Sequence, residues 1–162
     1  MSGPAASAVT VSGAVALVAV LGALTALTVV AVVGVVGVRR RYLVVTVHGE
    51  SMLPTYRPGE RVLVRRARAD SLRAGQVVVL SDLVPAGGAE LRPRWIIKRV
   101  AALPGDPIPR DTVPALRTAS GTRVPAGHLV VLGDNPDRSH DSRHSGYLTT
   151  DRLYGVVLRT FG

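Results

Sequence analysis

The chain has two textures. From Val9 to Val38 there is no charged residue, and the stretch is almost entirely Ala, Val, Leu, Gly and Thr. About 20 apolar residues suffice to cross a bilayer as a helix. Residues 9–38 therefore predict a transmembrane anchor, preceded by a short tail at residues 1–8. A buried core helix rarely runs so long without a polar face. A cleaved signal peptide has a shorter apolar run and a basic segment ahead of it.

After Arg39-Arg40-Arg41, a natural interfacial anchor, the pattern changes. Tyr42–Val47 is β-branched and predicts a strand. Further short apolar runs predict strands at Arg61–Val64, Gln76–Leu80, Arg94–Val100, His128–Leu132 and Tyr154–Leu158. Glu50–Gly59 is broken by Pro54, Pro58 and Gly59 and reads as turns. Pro85-Ala86-Gly87-Gly88 and Leu103-Pro104-Gly105-Asp106 read as connectors. No long helical period follows the anchor and there is no internal repeat. The expected fold is mainly β: one transmembrane helix, then a small all-β domain over residues 39–162. With one Trp and one Phe, its core must be aliphatic.

Charge narrows the partners. The net charge is +9 and comes almost wholly from Arg. Beside a membrane span, anionic lipid is a simpler partner than nucleic acid. The arginines are also scattered, apart from Arg39–Arg41 and Arg65-Arg66. There is no Cys, hence no disulfide framework and no thiolate metal site. The Arg-heavy composition suits a GC-rich bacterial genome.

Two residues suggest chemistry. Lys98 is the only lysine among 20 basic residues. Lys differs from Arg in that burial can strip its proton. Trp95-Ile96-Ile97 supplies an apolar setting for that, and a neutral amine is a competent general base. The plain alternative is a surface lysine. Ser51 sits at a strand-to-turn junction, where most serines are turn residues. As a nucleophile it would need a neighbouring base.

Three segments place the pair in context. They are Gly49-Glu50-Ser51-Met52-Leu53-Pro54-Thr55, then Lys98-Arg99-Val100-Ala101-Ala102-Leu103-Pro104-Gly105-Asp106. The third runs from Gly133-Asp134-Asn135-Pro136 through Ser139-His140-Asp141-Ser142-Arg143 to Gly146. With the anchor ahead of them, they resemble the type I signal peptidase family of Ser-Lys serine proteases, over the region from the anchor to Leu158.

The resemblance implies a signal-peptidase-like catalytic domain that needs no cofactor and no metal. Ser51 matches the nucleophile and Lys98 the base. The backbone N–H of Ser51 contributes to an oxyanion hole. Ser139 matches a serine that orients the lysine. Asp141 and Arg143 match an ion pair that shapes the site. Some relatives carry a hydroxyl donor two positions before the nucleophile, where this chain has Gly49. Two other departures are Gly75-Gln76, where the family usually has Gly-Asp, and Pro136, where it commonly has Arg or a polar residue. The short stretch Pro107–Pro125 implies a minimal catalytic core.

Other constellations fit less well. His48 lies close before Ser51, whereas relatives with a His base carry it at the position of Lys98. His140, Asp141 and His144 suggest a metal only on a helix, and their stretch is rich in turn formers. Self-cleaving repressor-type proteases share the dyad but lack a span and carry a DNA-binding domain. A catalytically silent membrane protein that binds a partner through its β-domain is the reading from another class.

The implied substrates are preproteins with signal peptides, cut after small residues such as Ala-x-Ala, because a shallow apolar pocket admits only small side chains. Val47, Met52, Tyr56, Ile96 and Ile97 are the expected lining. A dedicated protease for a single precursor is the alternative. The resemblance implies a single-pass plasma-membrane protein with its catalytic domain on the outer face. Arg39–Arg41 after the span argues the opposite orientation under the positive-inside rule. The pattern carries no signal for oligomeric state.

Overall fold

The computed structural model describes residues 5–85 and 91–161. Met1–Arg41 and Tyr42–Gly162 form separate compact units. The first is one helix, α1 (Ala5–Arg41), whose segment Val15–Arg41 is long and apolar enough to cross a membrane. Two of its hydroxyls are satisfied within the helix. The Thr25 and Thr28 hydroxyls donate to the Leu21 and Leu24 carbonyls, each at 2.8 Å. That arrangement suits hydroxyls in an apolar setting.

The helix runs on through Arg39, Arg40 and Arg41, and the second unit starts at Tyr42. Arg is a good helix former, and cations complement the C-terminal end of the helix dipole.

The second unit is an antiparallel sheet of seven strands. They are β1 (Tyr42–Thr46), β2 (Arg61–Arg66), β3 (Val77–Pro85), β4 (Leu91–Ala102), β5 (His128–Leu132), β6 (Leu148–Thr149) and β7 (Leu153–Phe161). Their order across the sheet is β1-β2-β7-β3-β4-β5-β6. A single helical turn, α2 (Ser142–Ser145), follows β5. All six expected strands are present, and the fold is mainly β as expected.

The differences are at the ends. β3 and β4 outrun their expected spans because backbone pairing continues from Val77↔Arg99 out to Pro85↔Leu91. Polar Ser81, Asp82, Arg92 and Arg94 interrupt the apolar pattern there, while the ladder needs only backbone groups. Two-residue β6 is too short to leave a period. Residues 86–88 of the expected Pro-Gly connector lie outside the described residues.

The core forms on both faces of β3. Val77 and Val79 join Val45, Val62, Val64 and Ile97 on one side. Val78 and Leu80 join Val100, Leu129, Val131 and Val156 on the other. This is why Val77–Leu80 is an unbroken apolar run rather than an alternating one. A third cluster, including Ile108, Val113, Leu116 and Val124, packs under the connectors between β4 and β5.

Candidate active site

Lys98 lies in β4, paired with Val78 of β3. Ile96 and Val100 share its face of the strand, and both pack in the cluster around Val78. Only 5% of Lys98 is exposed. Burial is the largest influence on its amine and lowers its pKa from the ordinary 10.5. Asp141 pulls in the opposite direction, and Arg143 and Arg94 add to the lowering.

Among the described residues the amine has one hydrogen-bond partner. Lys98 Nζ donates to Ser139 Oγ at 3.0 Å, and Ser139 Oγ donates to Asp141 Oδ2 at 2.6 Å. The serine hydroxyl is thereby committed: its hydrogen goes to the carboxylate and its lone pair faces the lysine. The same Asp141 oxygen accepts from the Gly133 N–H at 2.7 Å and from Arg143 Nη1 at 2.8 Å. Oδ1 accepts from the Arg143 N–H, which also starts α2. Burial alone would raise the Asp141 carboxyl. The Gly133, Ser139 and Arg143 donors outweigh it and hold the group below its ordinary value. Asp141 is therefore a buried carboxylate.

Ser51 follows β1 on the turn that Gly49 opens with φ of +77°. A side chain there would meet open space, but the backbone lies in the left-handed region that favours Gly. This accounts for the missing hydroxyl two positions before Ser51. Met52, 1% exposed, anchors the turn in the core. The Ser51 carbonyl accepts from the Asn135 N–H at 3.0 Å, which ties the turn to the third segment. Gly133 completes the junction. A Cβ there would lie 2.2 Å from Ser139 Oγ and 2.6 Å from the Ser51 carbonyl oxygen.

A second network was not assigned a role from sequence. Arg99 Nε and Nη2 grip both oxygens of Asp134 at 2.8 and 2.6 Å. Thr55 donates to the same carboxylate, and Arg99 Nη1 donates to the Gly75 carbonyl at 2.8 Å. One carboxylate thus joins all three motif segments. The available signal was position: Thr55, Arg99 and Asp134 each lie inside a quoted segment. Burial would raise Asp134, but the Arg99 and Thr55 hydrogen bonds hold it below the usual range. Its stabilisation is present above the unfolded carboxyl value and lost as pH falls through the lowered one. Arg99→Ala is expected to cost about 1–3 kcal/mol, the cost of an orphaned polar group, discounted because the Arg99 side chain is 36% exposed. A lower urea midpoint of the detergent-solubilised chain at neutral pH would read it.

Both departures have local explanations. Gln76 Oε1 accepts from the Arg73 N–H at 2.9 Å, closing the turn before β3. Pro136 starts a short 3-10 turn, Pro136–Arg138, where its missing N–H costs nothing.

Ser51 and Lys98 face one open cleft of about 520 Å³. Val47, Met52, Ile96 and Ile97 are among the residues that line it. Tyr56 is not: it packs against the Val45–Val62 cluster beside Arg99. The turn carries Tyr56 towards the core side because its N–H bonds back to the Met52 carbonyl at 2.9 Å. His48 lines the cleft rim and is exposed. His140 and His144 stack with centroids 4.9 Å apart. Among the described residues no group of three or more His, Cys, Asp or Glu is gathered to hold a metal.

The family described as signal peptidase, peptidase S26, matches this chain over residues 19–113 and 110–161. The chain is 35% identical over 125 residues to the mitochondrial ATP-independent inner membrane protease subunit 1a of Arabidopsis thaliana, covering 75% of this chain and 72% of that one. It is 29% identical over 135 residues to a probable signal peptidase I-1 of Synechocystis, covering 71% and 68%. It is 29% identical over 143 residues to a signal peptidase I of Bacillus caldolyticus, covering 68% and 74%. An apolar N-terminal helix, an antiparallel β-domain and this breadth of agreement converge: the chain belongs to the signal peptidase, peptidase S26, family.

Proposed function

We propose that this chain is a membrane-bound serine endopeptidase that removes signal peptides from translocated preproteins after small residues. The carrying observation is a buried lysine amine, held by Ser139, in the same cleft as Ser51. Ser51 Oγ attacks the scissile carbonyl carbon while the neutral Lys98 amine takes its proton. The Ser51 N–H faces the developing oxyanion. Collapse breaks the C–N bond, and Lys98 returns the proton to the leaving amine of the mature chain. Water then attacks the acyl-enzyme with Lys98 again as base, freeing the signal peptide and Ser51.

The test is cleavage of a preprotein carrying an Ala-x-Ala site by membranes holding the wild type or Ser51→Ala. A shortened product from the wild type alone supports the reading. Cleavage that survives Ser51→Ala overturns it.

Specificity follows from the cleft wall. Ile97 is buried on the Val47–Met52 side. Ile97→Ala is expected to reduce discrimination against Val or Leu before the cut by about tenfold or more, read from relative kcat/KM on a substrate series. Unchanged ratios would remove Ile97 from the pocket.

The site of action is the plasma membrane of a bacterium, with the β-domain on the outer face where translocated preproteins arrive. The Synechocystis and Bacillus relatives support this. The Arabidopsis relative, named for the mitochondrial inner membrane, makes that membrane the alternative outcome of fractionation. Added protease digesting the domain in spheroplasts is the expected result, and a shielded domain places it on the cytoplasmic side.

A further inference from the structure

A carboxylate near a general-base lysine works against it. The Asp141 side chain has no exposed surface and stands two hydrogen bonds from the Lys98 amine. A buried anion at that range favours the ammonium form. An ammonium has no lone pair and cannot take a proton from Ser51. The hydrogen bond that orients Ser139 therefore brings with it a charge that would disable the base.

Of the other charged groups facing the cleft, Arg94 acts against this anion only from an exposed position, and the rest do not offset it. Glu50 pairs with Arg138 at 3.6 Å, and Asp82 pairs with Arg152 at 3.2 Å. Both pairs are internally balanced and solvent-exposed, so solvent and salt screen them. Exposed His48 and His140 stand on the rim. Arg94, on the lysine's own strand, opposes protonation from an exposed position. The Tyr56, Arg99 and Asp134 group belongs to the other network. Arg143 alone is set directly on the offending atom. Its Nη1 lies 2.8 Å from Asp141 Oδ2, with only 23% of its side chain exposed, and its Nη2 donates to the Gly133 carbonyl at 3.2 Å.

We propose that Arg143 is a positioning residue for the base: its guanidinium cancels the field of Asp141 at Lys98, so the carboxylate can orient Ser139 without charging the amine. Asp141 and Arg143 are then one device with two jobs. The anion fixes the direction of the hydrogen bond, and the cation offsets its charge at the lysine, in the same direction as burial. This gives the pair a function beyond scaffolding and rests on the Ser51–Lys98 reading for its purpose.

The sequence provides an unusually direct test. Lys98 is the only lysine, so selective 13Cε-lysine labelling of the full chain in detergent yields one titrating side-chain signal. The wild-type midpoint is expected below 10.5, the ordinary lysine value. Arg143→Gln is expected to raise it by about one pH unit or more, with the alkaline limb of kcat/KM moving by the same amount. Arg143→Lys, which keeps the charge, should stay near the wild type. Asp141→Asn should lower the midpoint, and the Asp141→Asn/Arg143→Gln pair should return it close to the wild-type value.

A folded Arg143→Gln chain with an unmoved midpoint overturns the proposal, whatever its activity. If Arg143→Gln does not fold, an unmoved midpoint in Asp141→Asn overturns it equally. The titration needs no turnover, so the two readings fail separately. The expected shifts in a chain that cleaves no preprotein uphold the charge balance and remove the peptidase. Cleavage with unmoved midpoints does the reverse.

Discussion

Lys98→Met is expected to lower kcat/KM for preprotein cleavage by a factor of about 10²–10⁴, the usual contribution of a general base. The methionine keeps the length and apolar character of the side chain, so the loss isolates the amine. Lys98→Arg should be no better, because guanidinium does not deprotonate in a protein. The pH profile adds a sign. Burial lowers the amine's pKa, and the neutral form is the base, so wild-type kcat/KM should rise through that lowered value. The limb should be absent in Lys98→Met. Cleavage persisting with an unchanged limb would shift the base role to another group, with His48 on the cleft rim the first to test.

The same residue links activity to stability. A lysine whose pKa is lowered by folding favours the folded state in its neutral form. That contribution is complete above the unfolded lysine value and is lost as pH falls through the lowered folded one. Lys98→Met removes this acid-side penalty. It is therefore expected to gain thermal stability over the wild type as pH falls, while losing activity throughout.

Gly133→Ala is expected to cost about 10²-fold in kcat/KM, although Gly133 is not a catalytic residue. Its added methyl would lie 2.2 Å from Ser139 Oγ, 2.6 Å from Ser139 Cβ and 2.6 Å from the Ser51 carbonyl oxygen. Something must move, and each neighbour belongs to the site. If Ser139 rotates, Lys98 and Asp141 lose their shared partner. If the Ser51 backbone yields, its hydroxyl shifts within the cleft and the bond from the Asn135 N–H to its carbonyl is strained. A misplacement of about 1 Å is worth about 10² in rate. Overpacking should also cost about 1–3 kcal/mol. Comparing kcat/KM with the thermal midpoint separates the two effects: wild-type turnover in Gly133→Ala would mean that the junction relaxes without touching the dyad.

Much of the architecture was legible because local pattern encodes local structure. The uncharged run from Val9 to Val38 announces a span. The unbroken Val77–Leu80 announces a strand. Ser51, Lys98, Ser139, Asp141 and Arg143 come from three separated segments, and the fold brings Ser51 and Lys98 to one cleft and links Lys98 through Ser139 to Asp141 and Arg143. Where pattern failed, the backbone took over. The outer ends of β3 and β4 carry polar residues, yet their ladder continues because pairing depends on the backbone rather than on side-chain polarity. Tyr56 was expected in the cleft because it lies near Ser51 in sequence. The turn after Met52 carries it to the core instead.

The amino-acid sequence by itself determined the apolar helix and six of the seven strands, because periodicity and composition dictate which stretches are buried, and its three motif segments marked the candidate site residues. The tertiary structure alone decided the partners. Thr55, Arg99 and Asp134 meet on one carboxylate. Gly133 must lack a side chain because Ser51 and Ser139 converge on it. Arg143 stands on the Asp141 carboxylate that accepts from Ser139. These are contacts between the turn after β1, strand β4 and the segment after β5, set by the strand order β1-β2-β7-β3-β4-β5-β6. Periodicity reports which face of a strand is buried, but carries no record of which distant strand will cover it.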